Sequence, residues 1–219
     1  MRVLVTGGAS GLGAAVAEAV HEAGGTPLVL DKVAPRVGKF ELVDLADGRA
    51  AERAVRTLAG DGLDAVVTAA GIDRCGTLAD VPAEEWEQVV RVNLLGTAAV
   101  VRAALPFLDR GRVVTVASTL GLRAVSDATA YCASKFGVVG FTRALAVETA
   151  GRVGVTLVIP GGMRTSFFDD RAEQYKPGDT AKLNPPERVA DAILFALRQP
   201  WGAELRELVV AHAEEPSWP

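Results

Sequence analysis

Seven short apolar segments recur along this chain of 219 residues, and most of them read as nearly continuous Val, Leu and Ile. A strand with one solvent-facing side alternates apolar and polar residues, whereas a continuously apolar strand is covered on both faces. The segments predict strands at Val3–Thr6, Pro27–Asp31, Phe40–Val43, Asp64–Thr68, Arg112–Ala117, Val155–Ile159 and Glu207–Val210. Stretches of helical period separate them, at Leu12–Ala23, Ala46–Leu58, Ala83–Leu108, Ala130–Thr149 and Pro186–Arg198.

Strand–helix–strand repetition along the whole chain predicts an α/β fold in three layers. About seven strands would form one doubly wound parallel sheet with helices on both faces, as in a Rossmann fold. No linker, low-complexity tract or internal repeat interrupts the pattern, so residues 1–219 are predicted to form one domain. Residues 165–184 are the least regular stretch, and such a segment is either a substrate-covering loop or a surface connection.

Charge and composition argue against several classes of function. Lys and Arg total 23 against 27 Asp and Glu, a net charge of −4, which offers no general attraction to nucleic acid. Two cysteines without a CxxC pattern and two distant histidines argue against a metal site. We expect no apolar stretch as long as the roughly 18 residues of a membrane helix. The first predicted strand follows Met1 and Arg2 directly, so we also expect no signal peptide. We therefore expect a cytoplasmic protein that binds neither membrane nor nucleic acid.

A glycine-rich turn, Thr6-Gly-Gly-Ala-Ser-Gly-Leu-Gly13, follows the first strand and opens the first helix. Glycines allow a tight reversal and close approach of the backbone to a pyrophosphate, while the helix N-terminus presents unpaired N–H groups to that anion. No Lys follows the last glycine, so the turn differs from the phosphate-binding loop of nucleotide hydrolases. The turn predicts a dinucleotide site that includes Gly7, Ser10, Gly11, Leu12 and Gly13.

Asp31 ends the second predicted strand, at about the 20-residue offset that is typical of a ribose-binding carboxylate. A carboxylate accepts hydrogen bonds from both ribose hydroxyls but repels the 2′-phosphate of NADP, so NAD is the favoured cofactor and NADP the less favoured one. Ser10 is not the basic residue that a phosphate would require in the turn. Lys32 and Arg36 follow closely in sequence, and the alternative that either reaches a phosphate stays open.

The motifs along the chain resemble those of the short-chain dehydrogenase/reductase family in type and order, over nearly the whole length. The glycine turn has that family's Thr-Gly-x-x-x-Gly-x-Gly form, and Tyr131-x-x-x-Lys135 opens a later helix. Further matching positions, in chain order, are Asp44, Leu45, Ala69, Ala70, Gly71, Asn93, Ser118, Pro160, Gly161 and Thr165. Thr68 departs from the pattern, because the family usually has Asn there; its hydroxyl can still bond nearby backbone, so we expect altered local packing only.

Tyr131 and Lys135 are four residues apart, so on a helix their side chains share one face, with Cβ atoms about 5–6 Å apart. A free tyrosine has a pKa of about 10, which is too high for a base at neutral pH. A neighbouring ammonium and the positive charge of oxidised nicotinamide both favour phenolate, and about 4 kcal/mol of differential interaction would bring the pKa near neutrality. Tyr131 is therefore predicted to take the substrate's hydroxyl proton during oxidation and to return it during reduction.

The resemblance implies roles for the other matching residues. Ser118 would bond the substrate oxygen, Lys135 would also bind the nicotinamide ribose, and Asn93 would hold a water in a proton relay. Thr165 would help to fix the carboxamide, and Asp44 would lie near the adenine. Because the family's long helices commonly form subunit contacts, a homodimer or homotetramer is expected.

The predicted function is hydride transfer between a nicotinamide cofactor, preferably NAD, and the CH–OH or ketone group of a small organic substrate. One alternative is an NADPH-dependent 3-oxoacyl-type reductase, against which Asp31 counts. A second is a dinucleotide-sensing regulator without catalysis, against which the intact Tyr131–Lys135 pair counts. The substrate, its stereochemistry and the direction of the reaction are not encoded in these motifs.

Overall fold

One parallel sheet of seven strands forms the middle layer of the computed structural model, which describes residues 1–60 and 62–215. The strands are β1 (Arg2–Thr6), β2 (Thr26–Asp31), β3 (Lys39–Leu42), β4 (Leu63–Thr68), β5 (Leu108–Val116), β6 (Gly154–Pro160) and β7 (Glu207–Val210). Their order in the sheet is β3-β2-β1-β4-β5-β6-β7, and each neighbouring pair is parallel. The predicted doubly wound α/β fold is confirmed.

The strand order places a crevice at the middle of the sheet. The chain begins at the central strand β1, moves outward to β3, and then returns to β4 on the other side of β1. At such a reversal the connections leave in opposite directions, and ligands of open parallel sheets bind beside the carboxyl ends of the strands. The residues that follow β1 and β4 are therefore in position to form a site.

Within residues 1–60 and 62–215, six α-helices cover the two faces of the sheet: α1 (Gly11–Glu22), α2 (Gly48–Ala59), α3 (Ala83–Val90), α4 (Thr97–Ala104), α5 (Thr129–Glu148) and α6 (Pro186–Leu197). Helices α1 and α6 pack on the face that carries Val3 and Val5 of β1. Helices α2, α4 and α5 contribute to the other core, which contains Leu4. All three β1 side chains are fully buried, which explains why that strand is apolar without alternation.

The helix predicted over Ala83–Leu108 is not one regular α-helix. The segment consists of α3, a π-helical turn at Arg91–Gly96, α4, and a 3₁₀ turn at Leu105–Phe107. The π-turn carries Asn93, whose side-chain amide bonds the backbone N–H and carbonyl of Ile72, a contact that helical periodicity does not reveal. Strand β5 begins at Leu108 and not at Arg112, where the sequence predicted its start. The prediction missed the first residues because their polar side chains resemble those of a loop.

The helical run Ala83–Phe107 is the span, within the described residues, that is long and apolar enough to cross a membrane by length and composition. The expectation that no stretch reaches that length was therefore wrong on those two criteria. Core helices pass the same test, and 56% of the apolar window is buried inside this fold. Burial against the sheet accounts for the apolar composition of the run.

Candidate active site

The glycine-rich turn connects β1 to α1, and its backbone requires glycine at two positions. Gly7 and Gly11 have φ angles of +73° and +53°, in the left-handed region that disfavours other residues. At Gly13 space decides, because a Cβ there would lie 2.1 Å from the carbonyl oxygen of Gly7. Ser10 precedes α1 without a side-chain cap, and the first turn carries no acidic residue. The N-terminus of α1 is therefore suited to bind an anion.

Asp31 lies at the carboxyl end of β2, next to the glycine turn. Its Oδ2 accepts a hydrogen bond from the N–H of Ala9 at 2.9 Å, and its Oδ1 accepts one from the N–H of Lys32 at 2.6 Å. The Lys32 ammonium lies 3.4 Å from Asp44, and the Arg36 guanidinium lies 3.9 Å from a carboxylate on α1. Both cations thus have carboxylate partners, while the carboxylate of Asp31 is fixed beside the turn.

Three of the predicted catalytic residues meet at the carboxyl end of β5. Tyr131 and Lys135 lie one turn apart on α5, and the Lys135 ammonium is 5.6 Å from the centroid of the Tyr131 ring. The ammonium donates to the carbonyl of Val116, the last residue of β5, at 3.0 Å. The Tyr131 hydroxyl is hydrogen-bonded to Ser118, which lies two residues after β5 and accepts from the N–H of Leu120. The structure therefore brings a phenol, a hydroxyl and an ammonium together.

Burial dominates the proton affinities of this group. It raises the pKa of Tyr131 well above the ordinary value for a phenol, although the hydrogen bond to Ser118 acts in the opposite direction. Burial lowers the pKa of Lys135 to about 8, and the charge of Asp73 opposes that decrease. In the protein alone Tyr131 is thus a neutral phenol at pH 7, so the ammonium by itself does not activate it.

Asn93 lies in the π-helical turn, a feature that is frequent at functional sites. Its Nδ2 donates to the Ser134 hydroxyl at 3.0 Å, and that hydroxyl donates to the backbone carbonyl of Tyr131 at 2.8 Å. A Cβ at Gly71 would lie 3.5 Å from both Asn93 Oδ1 and Lys135 Nζ, so these residues adjoin. Because its amide is bonded to protein groups, Asn93 joins the α3–α4 run to α5; its role in holding a water stays a prediction.

Other predicted cofactor residues line the same edge of the sheet. Thr165 packs against the glycine turn, since a Cβ at Gly11 would lie 3.5 Å from its side chain. Ala70 packs on Gly7 and donates its N–H to the Thr6 hydroxyl at 3.1 Å. The residues that follow β1, β4 and β6 thus adjoin one crevice.

Several predicted cofactor contacts have side chains that belong to the core. Leu12 and Leu45 are each 6% exposed, Pro160 is buried at the end of β6, and Ala69 packs on the core under α1. A bound dinucleotide would contact these residues through their backbone atoms. The sequence motifs therefore locate the backbone near the cofactor but do not predict side-chain contacts at these positions.

The motif matches and this geometry agree with one family. The profile of the short chain dehydrogenases matches residues 1–176, which is most of the chain. This chain belongs to the short-chain dehydrogenase family. The predicted resemblance is therefore confirmed, and the protein is an oxidoreductase that acts on CH–OH groups.

Named relatives agree with that assignment. This short-chain dehydrogenase is 30% identical over 224 residues to an uncharacterized oxidoreductase of Staphylococcus aureus strain MW2, covering 94% of this chain and 95% of that protein. It is 33% identical over 190 residues to the D-beta-hydroxybutyrate dehydrogenase of Cupriavidus necator, covering 78% and 73%. Its fold resembles a Burkholderia cenocepacia short chain dehydrogenase solved in complex with NADP, with a TM-score of 0.85, 27% identity and 96% of each chain covered.

One departure from the family pattern has a structural consequence in this short-chain dehydrogenase. Thr68 is 2% exposed at the end of β4, and its Oγ1 has no hydrogen-bond partner among the described residues. The prediction that this hydroxyl would bond nearby backbone was therefore wrong. An Asn at this position would offer a longer side chain, whereas the shorter Thr does not reach an acceptor.

Glu215 is a residue of the site that sequence reasoning missed. Its carboxylate accepts the N–H of Gly162 at 2.9 Å and packs so closely on Gly161 that a Cβ there would lie 1.9 Å from Oε2. The two contacting positions are 53 residues apart in the chain, and no motif links them. An acidic residue near the chain's end offered no signal by which to find this contact.

Proposed function

We propose that this short-chain dehydrogenase interconverts a hydroxyl and a carbonyl group on a small organic substrate, with Tyr131 as proton carrier and NAD as preferred cofactor. The observation that carries the proposal is the contact of Tyr131 with Ser118 and Lys135, at the edge of the sheet that holds the glycine turn. General acid–base catalysis needs a group that exchanges a proton with the substrate oxygen, and a partly buried phenol beside a hydroxyl suits that task.

The residues of the crevice fit a dinucleotide. The turn offers the N–H groups of α1 to a pyrophosphate, and Asp31 offers two oxygens to ribose hydroxyls. Because Gly71 has no side chain, the space beside the Lys135 ammonium stays open. Lys135 would bind the nicotinamide ribose there. The backbone at Gly161 with Thr165 would hold the carboxamide. When bound, the nicotinamide ring supplies or accepts the hydride.

Tyr131 carries the proton in both directions of the proposed reaction. During reduction, the neutral phenol donates its proton to the oxygen that Ser118 also bonds. During oxidation, the Lys135 ammonium and the positive charge of oxidised nicotinamide together favour the phenolate that accepts a proton. Lys135 has a pKa of about 8, so it keeps its charge at pH 7 and loses it at higher pH. Support for phenolate from Lys135 therefore declines above pH 8.

Asp31 supports the preference for NAD. Its carboxylate is fixed beside the glycine turn by the N–H groups of Ala9 and Lys32, where a 2′-phosphate would meet like charge. Lys32 and Arg36 pair with other carboxylates, so neither is committed to a phosphate. The NADP complex of the Burkholderia relative is the observation on the other side, and it makes NADP the second candidate cofactor.

A small alcohol, ketone or hydroxy acid fits the proposed site. Phe167 lies 5.7 Å from the Tyr131 ring and gives the site an apolar wall. The relationship to D-beta-hydroxybutyrate dehydrogenase makes short hydroxy acids the first compounds to test. An NADPH-dependent 3-oxoacyl-type reductase is the second candidate function, and the NADP-bound relative is the observation that favours it.

The proposal also covers the setting in which the enzyme acts. We place it in the cytoplasm as a homodimer or homotetramer, with no nucleic acid or membrane partner. The slightly negative charge supports the absence of nucleic acid, and the exposed Phe136 and Val147 on α5 support a subunit contact. Sedimentation of the purified protein tests the oligomeric state; a monomer would contradict this part of the proposal.

Tyr131→Phe tests the catalytic part of the proposal. The substitution keeps the ring but removes the proton carrier, so turnover of short hydroxy acids and alcohols with NAD should fall by at least about 100-fold. Binding of NADH, followed by nicotinamide fluorescence, should stay within about twofold of the wild type. Tyr175→Phe is the matched control, since Tyr175 is the other tyrosine of the chain. Unchanged turnover in Tyr131→Phe would remove Tyr131 from the mechanism.

A further inference from the structure

Residues 165–184 are called here the substrate loop. The first half of this loop packs against Tyr131. The Phe167 ring lies 5.7 Å from the Tyr131 ring, and Phe168 meets Phe167 nearly edge-on at 5.4 Å. Apart from a single bridge between Asn184, at its end, and Met163, regular structure in the loop is limited to two 3₁₀ turns of three residues each, which are too short to be stable alone. Contacts outside the loop must therefore hold it on the tyrosine.

Arg171 makes a largely buried charged contact between the substrate loop and the body of the fold, whereas the Lys182–Glu214 ion pair of the same loop is exposed. Its guanidinium lies 5.0 Å from the Phe167 ring and 4.7 Å from the Phe168 ring. From Nη2 it donates to Oδ2 of Asp73, which follows β4, at 2.7 Å. The two side chains are 18% and 4% exposed, so water screens this ion pair far less than a surface pair.

Asp73 is itself held in place on the body of the fold. The thiol of Cys75 donates to Asp73 Oδ2 at 3.2 Å, and the backbone N–H of Arg74 donates to Oδ1 at 2.7 Å. Burial, with the nearby charge of Asp73, raises the pKa of the Cys75 thiol to about 11, whereas Arg171 acts in the opposite direction. Cys75 is therefore a poor nucleophile while the loop is docked, and its reactivity reports on this contact.

We propose that Asp73 and Arg171 form a clasp that holds the substrate loop closed over Tyr131, and that both are positioning residues for the hydroxyl–carbonyl chemistry. The proposal rests on the proposed function of Tyr131 and adds the means by which its phenol is shielded from water. Arg171 contacts two rings, one of which contacts Tyr131, and Asp73 supplies the charge that retains Arg171.

A shielded ion pair suits a clasp because the loss of one partner leaves the other charge buried without its counter-ion. That charge regains water most readily if the loop leaves the body of the fold. Release of Arg171 would carry Phe167 away from Tyr131 and would uncover Cys75 with Asp73. Such an opening is local, and the sheet and its helices remain folded.

The test measures thiol labelling by a maleimide, which needs neither substrate nor cofactor. The chain has two cysteines, so a Cys132→Ala background isolates Cys75. Arg171→Gln in that background is expected to raise the labelling rate of Cys75 by about tenfold or more, because the thiol becomes hydrated and its pKa falls toward the ordinary value. Arg171→Lys, which keeps the positive charge, should restore most of the slow rate.

Two controls distinguish a clasp from other roles of the pair. Arg143→Gln breaks an exposed ion pair with Glu207 of the same 2.7 Å length on the far part of α5, and it should leave the Cys75 rate unchanged. In a Cys75→Ala background, the buried Cys132 next to Tyr131 reports opening of the helix itself. Its labelling rate should not change in Arg171→Gln.

Three results of the labelling experiment would overturn the proposal. A slower Cys75 rate in Arg171→Gln would mean that the charge acts on the thiol directly while the loop stays docked, because Arg171 lowers the pKa of Cys75. An unchanged rate would mean that other contacts hold the loop. Equal acceleration at Cys75 and Cys132 would mean that the pair supports the whole fold rather than the loop.

A second measurement links the clasp to the reaction. With a substrate that the wild type turns over, Arg171→Gln should lower kcat/KM by about tenfold or more, while the Kd for NADH changes by less than about twofold. A kcat/KM equal to that of the wild type would contradict the positioning role. If the wild type turns over no short hydroxy acid, alcohol or ketone, the proposed substrate class fails, whereas the thiol rates still decide whether the clasp exists.

Discussion

Replacing Lys135 with Met is expected to stabilise the protein at pH 7 while lowering its turnover sharply. Lys135 is 4% exposed, and burial lowers its pKa from the ordinary 10.5 to about 8. A decrease of that size corresponds to a cost of about 3 kcal/mol for keeping the ammonium charged inside the fold. Loss of the hydrogen bond to the Val116 carbonyl offsets about 1 kcal/mol, so the free energy of unfolding should rise by about 2 kcal/mol.

The size of this gain depends on pH in a direction that the pKa of Lys135 determines. Below pH 8 the lysine is protonated in both the folded and the unfolded protein, so the wild type bears the full cost. Between pH 8 and 10.5 the folded protein releases the proton while the unfolded chain retains it, and this group's contribution to stability rises with pH. The advantage of Lys135→Met should therefore shrink across that interval.

Urea unfolding at pH 7 and at about pH 10, followed by tryptophan fluorescence, measures both effects. Lys39→Met is the matched control, because Lys39 is exposed on β3 and its loss should change the free energy of unfolding by less than about 0.5 kcal/mol. Turnover by Lys135→Met should fall by at least about 100-fold. A variant that is less stable than the wild type at pH 7, or a gain that is equal at both pH values, would refute the reasoning.

Two further substitutions test local features of the site. Thr68→Val should raise the free energy of unfolding by about 1 kcal/mol because it removes a buried hydroxyl without a partner, whereas Thr142→Val, which removes a bonded hydroxyl, should lower it by a similar amount in urea unfolding. Equal losses in the two variants would contradict this. Gly13→Ala should abolish NADH binding in a fluorescence titration, because its Cβ would lie 2.1 Å from the carbonyl oxygen of Gly7. Gly140→Ala on α5 is the control, and it should leave NADH binding unchanged because a Cβ there would meet open space. Binding retained by Gly13→Ala within about tenfold of the wild type would show that the turn can adjust.

The sheet was largely predictable because its strands follow directly from side-chain burial. The strands β1, β2, β4 and β6 are covered on both faces, and their continuous apolar runs locate them closely. The start of β5 was missed because its first residues include Asp109 and Arg110, which are exposed. Periodicity detects what faces a core, so it detects the ends of strands poorly.

The site was predictable where a motif is continuous in sequence, and not where a contact joins distant segments. Tyr131 and Lys135 are one helical turn apart, and that geometry follows from their spacing alone. The contact between Arg171 and Asp73 spans 98 residues, and the irregular loop that carries Arg171 has no period from which to infer it. Whether the Thr68 hydroxyl finds a hydrogen-bond partner depends on interatomic distances in the packed structure, which residue type alone does not determine.

The most direct test of the central claim is a titration of the purified protein with NADH and with NADPH, followed by nicotinamide fluorescence. NADH should bind at least about tenfold more tightly than NADPH, because the Asp31 carboxylate accepts ribose hydroxyls and repels a 2′-phosphate. Asp31→Ala should narrow that difference, and Asp44→Ala provides a comparison at the neighbouring carboxylate. Tighter binding of NADPH would contradict the assignment of NAD, and binding of neither would contradict the proposed nicotinamide-dependent chemistry.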